Sequence, residues 1–321
     1  MGRWQISPTA PSPSTETVRY DTFSTLMDDF YALREQQERV RQRGADLLRT
    51  ATTARDRIRR KLAMQEKDYA ATQNRDQLRI YGDLITANLY RMERGAARLE
   101  TENFYDPECR PVAIPLDPLL TPQQNAAKYY KRYTKAKTAE KYLAEQMALA
   151  RRDLDYLESV LEELSRAETE QDFLDIRGEL RDAGFLRRQG KKEQNRPAKP
   201  LEFRTTSGFR VLVGRNNRQN DKLTRSADHR DIWLHTQKIH GSHVILCTGG
   251  REVDDDTIVE AAKLAAWFSQ AREGANVPVD YTPVKNVKKP AGARPGMVIY
   301  STCRTVNVAP EEGLVKKLQL S

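Results

Sequence analysis

The chain of 321 residues is long enough for two domains, and its mean hydropathy of −0.76 with 31% charged residues indicates an unusually large solvent-exposed surface. A net charge of +9 and a pI of about 9.4 favour a polyanionic partner such as RNA, DNA or an acidic membrane. Three scattered cysteines without a CxxC pair indicate neither a disulfide framework nor a thiolate zinc site, and no apolar run is long enough for a signal core or a membrane span. The composition therefore predicts a cytoplasmic protein with no membrane partner.

Residues 1–22 contain several prolines among Ser and Thr, and they predict a flexible lead-in. Residues 23–77 contain no proline and predict the first arm of a coiled coil. The polar Gln37 and the small Gly44 weaken the predicted seam. Its residues recur at spacings of three and four: Phe30, Leu33, Gln37, Val40, Gly44, Leu47, Ala51, Ala54 and Ile58.

Residues 78–122 differ from the arms that flank them, because an apolar helix-like piece is followed by a proline-rich loop. They predict a small tip module. Residues 123–168 predict the second arm, with a cleaner heptad at Leu143, Met147, Ala150, Leu154, Leu157, Leu161 and Leu164. Two arms around a short insert favour an antiparallel hairpin, with pairing of helices between chains as the alternative. Residues 169–200 follow as a short amphipathic helix and a basic, proline-bearing linker.

From residue 201 the pattern changes to short strands around one amphipathic helix, which predicts a compact α+β domain over 201–310 and a tail over 311–321. The helix is expected at Asp255–Arg272, with aspartates at the end where the helix dipole favours them. The strands are expected at Phe209–Val213, Ile232–His235, His243–Cys247, Val279–Val284 and Met297–Tyr300. The predicted fold class is thus α + (α+β): a long antiparallel coiled-coil hairpin with a small tip module, followed by the compact α+β domain.

The positive charge is concentrated rather than spread. Residues 185–230 hold 13 Lys and Arg against four acids, an excess of nine that equals the net charge of the whole chain. Arginine in loops rich in Asn and Gly suits phosphate contacts, because the guanidinium makes bidentate hydrogen bonds. The predicted RNA-binding residues are Arg204, Arg210, Arg215, Asn216, Asn217, Asn220, Arg225, His235 and His243, with Lys288, Lys289 and Arg294 as a second patch.

All four histidines, His229, His235, His240 and His243, fall in one short segment, so a metal site must be considered. Their spacing does not resemble HxxxH or HExxH, and hydrogen bonding, phosphate contact or structural packing are the favoured alternatives. Trp233 could stack on a base or fill the buried face of a strand, and a lone tryptophan favours the second. No phosphate loop and no catalytic set of side chains is present in the sequence. The sequence predicts a binding protein without metal or cofactor, and not an enzyme.

Four ordered blocks resemble the signature of the NFACT RNA-binding domain: residues 214–224, 231–235, 241–244 and 288–300. Upstream blocks at 81–90, 103–107, 114–122 and 125–130 are similar to the middle module of the same family and to the re-entry into its second coil. The resemblance covers nearly all of residues 20–310. It points to the bacterial RqcH (FbpA) group, which is related to eukaryotic NEMF.

The resemblance implies a ribosome quality control factor. Such proteins bind the obstructed large ribosomal subunit through its rRNA, bind peptidyl- or alanyl-tRNA, and support untemplated alanine tailing of stalled nascent chains. No counterpart of the amino-terminal NFACT domain, which carries the family's tRNA-reading motif, is recognised before the first coil. The resemblance therefore implies the carboxy-terminal half, with a separate amino-terminal half as an expected partner. The alternative is a fibronectin-binding surface adhesin, since relatives carry that label.

Overall fold

The computed structural model of the protein describes residues 21–186 and 198–320. The chain divides into two compact units, one of Met1–Ala54 with Tyr156–Ser321, and one of Arg55–Asp155. The predicted lead-in, apart from its last two residues, and most of the predicted basic linker lie outside the described residues. Among the helices that are described, none combines the length and the apolarity needed to traverse a bilayer.

The described part of the chain is rich in helix and carries a separate antiparallel sheet domain. Its helices are α1 (Phe23–Thr72), α2 (Arg75–Ala87), α3 (Pro122–Arg166), α4 (Glu170–Asp182), α5 (Asn217–Ser226), α6 (Asp255–Trp267) and α7 (Glu312–Leu318). The two longest, α1 and α3, contain 50 and 45 residues and lie where the heptad patterns predict helix. α3 begins with a proline, which is tolerated there because the first N–H groups of a helix have no intrahelical acceptor.

Gly44 has a packing role that the heptad pattern does not predict. A Cβ atom at this position would lie 2.8 Å from Cζ of Phe173, whose side chain is buried on α4. Nearby on α1, Leu47 and Ala51 are buried. The missing side chain at Gly44 thus makes room for an aromatic ring. The side chains of Leu33 and Gln37, which belong to the predicted seam, lie outside what the structure describes.

Within the unit Arg55–Asp155, the end of α1 packs antiparallel on α3. Glu66 pairs with Arg151 at 2.9 Å between Oε1 and Nη2, and Arg75 pairs with Glu140, so residue numbers rise on one chain segment as they fall on the other. The buried side chains of this contact are Leu62, Met147 and Ala150. Met147 and Ala150 belong to the apolar pattern predicted for residues 123–168, and Leu62 lies on α1.

The same unit contains two short strands where the sequence predicted a proline-rich loop. β1 (Arg98–Glu102) and β2 (Pro111–Pro115) pair antiparallel. The two prolines occupy the ends of β2, where a missing N–H is tolerated in an edge strand, and Ile114 between them is fully buried. The core of this module consists of Leu84, Ile85, Leu99, Ile114, Ala126 and Tyr129. The prediction of a loop was wrong because the prolines masked a strand of five residues.

The carboxy-terminal domain is built on a six-stranded antiparallel sheet with the order β10-β7-β5-β6-β4-β3. Its strands are β3 (Leu201–Arg204), β4 (Arg210–Val213), β5 (Ile232–Thr236), β6 (Val244–Cys247), β7 (Val277–Pro283) and β10 (Arg304–Val308). A separate pair is formed by β8 (Val287–Lys288) and β9 (Ile299–Tyr300). The predicted strands at β4 to β7 are confirmed within two residues at each end. β3 and β10, the two edge strands, were not predicted.

Helix α6 covers one face of this sheet. Its buried residues are Thr257, Ala261, Ala262, Leu264, Ala265 and Ala266, and Asp254 caps its first turn by accepting from the backbone N–H of Thr257 at 2.8 Å. The helix ends at Trp267, five residues before the predicted Arg272. The chain leaves the helix there because the carbonyl of Phe268 accepts from the N–H of Ser242, and the N–H of Gln270 donates to the carbonyl of His240.

Candidate nucleic-acid interface

The block of residues 214–224, predicted as a loop, forms a tight turn and most of α5. Asn216 is the N-cap, and its side chain accepts from the N–H of Gln219 at 2.9 Å. A Cβ atom on Gly214 would lie 2.0 Å from Oδ1 of Asn220, so the turn requires glycine there. The prediction of a loop missed this helix because its three asparagines and its glycine are turn-forming residues.

The three asparagines of this block point inward, which corrects the prediction that Asn216, Asn217 and Asn220 contact RNA. All three are buried. Nδ2 of Asn217 donates to Oγ of Ser159 at 2.9 Å and to Oε1 of Glu179 at 3.2 Å. Oδ1 of Asn220 accepts from the backbone N–H of His243 at 3.1 Å. Their polar atoms are committed within the protein.

Two of the predicted arginines also bind within the chain. Nη1 of Arg215 lies 3.2 Å from Oδ1 of Asp172, beside the first turn of α4. Nη1 of Arg294 donates to the carbonyl of Ala183 at 3.0 Å, and its guanidinium lies 5.3 Å from the ring centre of Phe185. Arg215, Asn217 and Arg294 thus connect the carboxy-terminal domain to α3, to α4 and to the residues that follow α4. We call this set of contacts the joint.

Two buried glutamates lie at the joint. Glu179 of α4 accepts from the hydroxyl of Tyr156 at 2.8 Å, from Asn217, and from the backbone N–H of Arg218 at 3.2 Å. Oε2 of the buried Glu163 has no hydrogen-bond partner within the described residues. Burial raises the pKa of Glu179, and burial together with the charge of Glu179 raises the pKa of Glu163 well above its usual value.

The two predicted histidines are neutral parts of an aromatic cluster. His243 is buried, its Nδ1 lies 2.8 Å from Oγ1 of Thr224, and burial lowers its pKa to about 3. His235 stacks on Trp233 with 5.6 Å between ring centres, and burial lowers its pKa to about 4. Neutral imidazoles do not supply a cation for a phosphate.

Trp233 is fully buried in the sheet, as predicted. No group of three or more His, Cys, Asp or Glu side chains is placed to hold a metal among residues 21–186 and 198–320.

The remaining predicted cations divide into paired and unpaired side chains. Arg210 makes a bidentate pair with Glu202 at 2.6 and 2.8 Å, and Lys289 pairs with Asp221. Arg225 and Lys288 are exposed and have no acidic partner in the part of the chain that the structure describes. Arg204 is exposed too, and its charge helps to lower the pKa of Glu202, after the larger effect of Arg210.

Helix α5 presents a row of cations to solvent. Arg218, Lys222 and Arg225 follow the spacing i, i+4, i+7, which places them on one face of a helix, and all three are exposed. Arg218 pairs with Asp182 of α4. We call these three residues the basic stripe. Arg218 and Lys222 were not predicted as site residues, and their helical spacing is the signal that would have found them.

Residues 4–199 match the family described as NFACT N-terminal and middle domains, and residues 199–301 match the NFACT protein RNA binding domain. The chain belongs to the NFACT family. The basic stripe and the joint's arginines lie inside the RNA-binding domain of this NFACT chain. The match to that domain supports an RNA-binding role.

The chain is 41% identical over 312 residues to "Rqc2 homolog RqcH" of Bacillus subtilis (strain 168), covering 95% of this NFACT chain and 54% of that protein. It is 35% identical over 304 residues to the protein of the same name from Streptococcus pneumoniae serotype 2 (strain D39), covering 94% and 54%. The chain thus spans about half the length of these relatives. A solved structure, "The structure of the C-terminal of the fibronectin/fibrinogen-binding protein from Streptococcus suis (FBPS)", is similar with a TM-score of 0.68 and 30% identity, covering 88% of this chain and 100% of that one.

Proposed function

We propose that this chain binds RNA through the basic stripe of α5, as part of a ribosome quality control factor that binds the obstructed large ribosomal subunit. The observation that carries the proposal is that the RNA-binding domain buries some of its predicted contact residues and exposes others. Its Asn216, Asn217, Asn220 and His243 are buried, whereas Lys222 and Arg225 are exposed and have no acidic partner among the described residues.

The spacing of the stripe suits a nucleic-acid backbone. At a rise of about 1.5 Å per residue, Arg218 and Arg225 are separated by roughly 10 Å along the helix, with Lys222 between them. Each cation that neutralises a phosphate releases a counterion, so affinity falls as salt rises. Arg204 and Lys288, which are also exposed, extend the set of candidate contacts.

Salt titration of RNA binding tests the stripe. We expect Lys222→Gln with Arg225→Gln to weaken binding for all RNA sequences alike, and to reduce the slope of log affinity against log salt by roughly 0.7 to 0.9 for each cation removed. Lys317→Gln is the matched control, because Lys317 is an exposed lysine on α7 without an acidic partner in the described chain. Equal slopes for the double variant and the control would remove the stripe from the interface.

On the ribosome, the proposed partners are rRNA of the large subunit and peptidyl- or alanyl-tRNA, in the cytoplasm. The proposed role is to support untemplated alanine tailing as a binding protein rather than an enzyme, together with an amino-terminal half supplied separately. The antiparallel packing of α1 on α3 in Arg55–Asp155 supports a coiled-coil hairpin with the α2–β1–β2 module as its tip. Co-sedimentation with purified large subunits tests this proposal. Folded protein that stays in the supernatant at low and moderate salt would contradict it.

A second candidate function is binding of fibronectin, favoured by the name of the similar Streptococcus suis structure. Its test is capture of the purified chain on immobilised fibronectin at physiological salt. Binding that is saturable and insensitive to competing RNA would favour this candidate over the first.

A further inference from the structure

A groove lies between α4 and α5, beside the basic stripe. It has a volume of about 470 Å³ and is lined by one face of α4 between Leu174 and Asp182, by Ala198 and Pro200, and by Asn216 and one face of α5. Ligand pockets in proteins occupy about 300 to 1,000 Å³, so the groove has the size of a small-molecule or single-nucleotide site.

The floor of the groove is apolar and is kept open by a glycine. Leu174, Gly178, Leu223 and Pro200 contribute to it. Glycine inside a helix is destabilising relative to alanine, because it loses more backbone freedom on folding. The packing does not require glycine here, because a Cβ atom on Gly178 would approach only Nη1 of Arg218, at 3.7 Å. The effect of the glycine is therefore to leave the wall of the groove free of a side chain.

The rim of the groove is cationic on both walls. Arg177 and Arg181 come from α4, and Arg218 and Lys222 come from α5. Arg177 and Lys222 are exposed and have no acidic partner within residues 21–186 and 198–320. Of the two acids on the rim, Asp182 pairs with Arg218, whereas Asp175 accepts from the N–H of Ala198 at 3.0 Å. The lining carries four cations against two carboxylates, a net charge of +2, so an anionic ligand is favoured.

The apolar floor of the groove suits one unstacked base, and the cations above it suit the phosphates on either side of that base. Bases of a duplex are stacked and paired, whereas an unpaired base can be turned out and packed between aromatic or apolar side chains or on guanidinium planes. Resting on the proposed RNA-binding function, we infer that the α4–α5 groove takes one unpaired nucleotide of RNA. Its base lies against Leu174, Leu223 and Pro200, and the adjoining phosphates lie between Arg177 and Lys222. The groove thereby gives the domain a preference for single-stranded RNA.

The test uses the full chain, a single-stranded RNA oligonucleotide, the same oligonucleotide with abasic sites, and a duplex of equal length. Wild-type protein is expected to bind the single strand about tenfold more tightly than its abasic form, the gain from burying roughly 50 Å² of apolar base surface in the groove. Gly178→Met fills the groove without changing any charge, and it should remove this difference while duplex binding is retained. Gly313→Met is the matched control, because Gly313 lies in α7 with no atom within 4 Å of an added Cβ.

Gly178→Ala separates the loss of the glycine from the filling of the groove. This variant should raise the melting temperature and leave most of the groove open, so it should keep the preference for the intact strand. Equal affinity of wild type for the intact and abasic strands would overturn the groove site and leave the proposed RNA binding standing. So would single-strand preference that survives in a folded Gly178→Met variant. Failure of the wild type to bind any of the three RNAs would instead remove the proposed function itself. Binding of an acidic peptide that displaces the single strand would reassign the groove to a protein ligand.

Discussion

Replacing Asn217 with alanine tests whether this side chain holds the joint or contacts RNA. Its Nδ2 group makes two hydrogen bonds in the buried joint, to Ser159 and Glu179. Each buried hydrogen bond contributes about 1 kcal/mol, and acceptors left without a donor add to the loss. Glu179 retains the hydroxyl of Tyr156 and the N–H of Arg218, so we expect Asn217→Ala to reduce the free energy of unfolding by about 2 to 3 kcal/mol.

Urea unfolding followed by circular dichroism measures this change. With a slope of about 2 kcal/mol per molar urea, the midpoint should fall by about 1 to 1.5 M. RNA affinity of Asn217→Ala, measured at a temperature where the variant is folded, should stay within about twofold of wild type because the side chain is buried. Asn307→Ala on the exposed strand β10 is the control and should change neither quantity. A folded Asn217→Ala variant of normal stability that binds RNA weakly would refute the account of the joint.

Two further predictions concern α1 and the buried acids. Gly44→Leu places side-chain atoms where the ring of Phe173 lies, so it should destabilise the protein by about 1 to 3 kcal/mol in the same urea assay; unchanged stability would contradict the packing of α1 on α4. The pKa of Glu163 is higher in the folded protein than in the unfolded chain, where it is about 4.3. Between these two pKa values folding takes up a proton. The free energy of unfolding therefore falls as the pH rises from the unfolded pKa through the folded one. Glu163→Gln has no charge to bury at this position. The melting temperature of the variant minus that of wild type should therefore increase between pH 5 and pH 8. A constant difference between the two proteins over that range would show that Glu163 is not buried as an acid.

Features that depend on a repeated pattern could be predicted from the sequence. The long helices follow from heptads free of internal proline, and strands β4 to β7 follow from short apolar runs between turn residues. Trp233 in a buried strand was predicted on the same basis. The edge strands β3 and β10 were missed because an edge strand needs no continuous apolar run.

Several side chains of the predicted site are buried or paired within the chain, and the sequence did not indicate this. Composition identifies where cations and asparagines are concentrated, yet it does not show which of them a turn directs inward. Asn217 is buried because α5 starts at that residue, and Arg215 is paired because α4 brings Asp172 to it across 43 positions in the sequence. For the same reason the heptad pattern predicts only a weak point at Gly44, since its partner Phe173 is remote in sequence. Long-range packing decides these cases.

Photocrosslinking of RNA to the full chain tests the central claim most directly. With a single-stranded RNA that carries 4-thiouridine, mass spectrometry of the digested complex identifies the peptides in contact. The account predicts crosslinks in peptides that contain Lys222, Arg225 or Lys288. Crosslinks confined to β10 and α7, with none on α5, would contradict it.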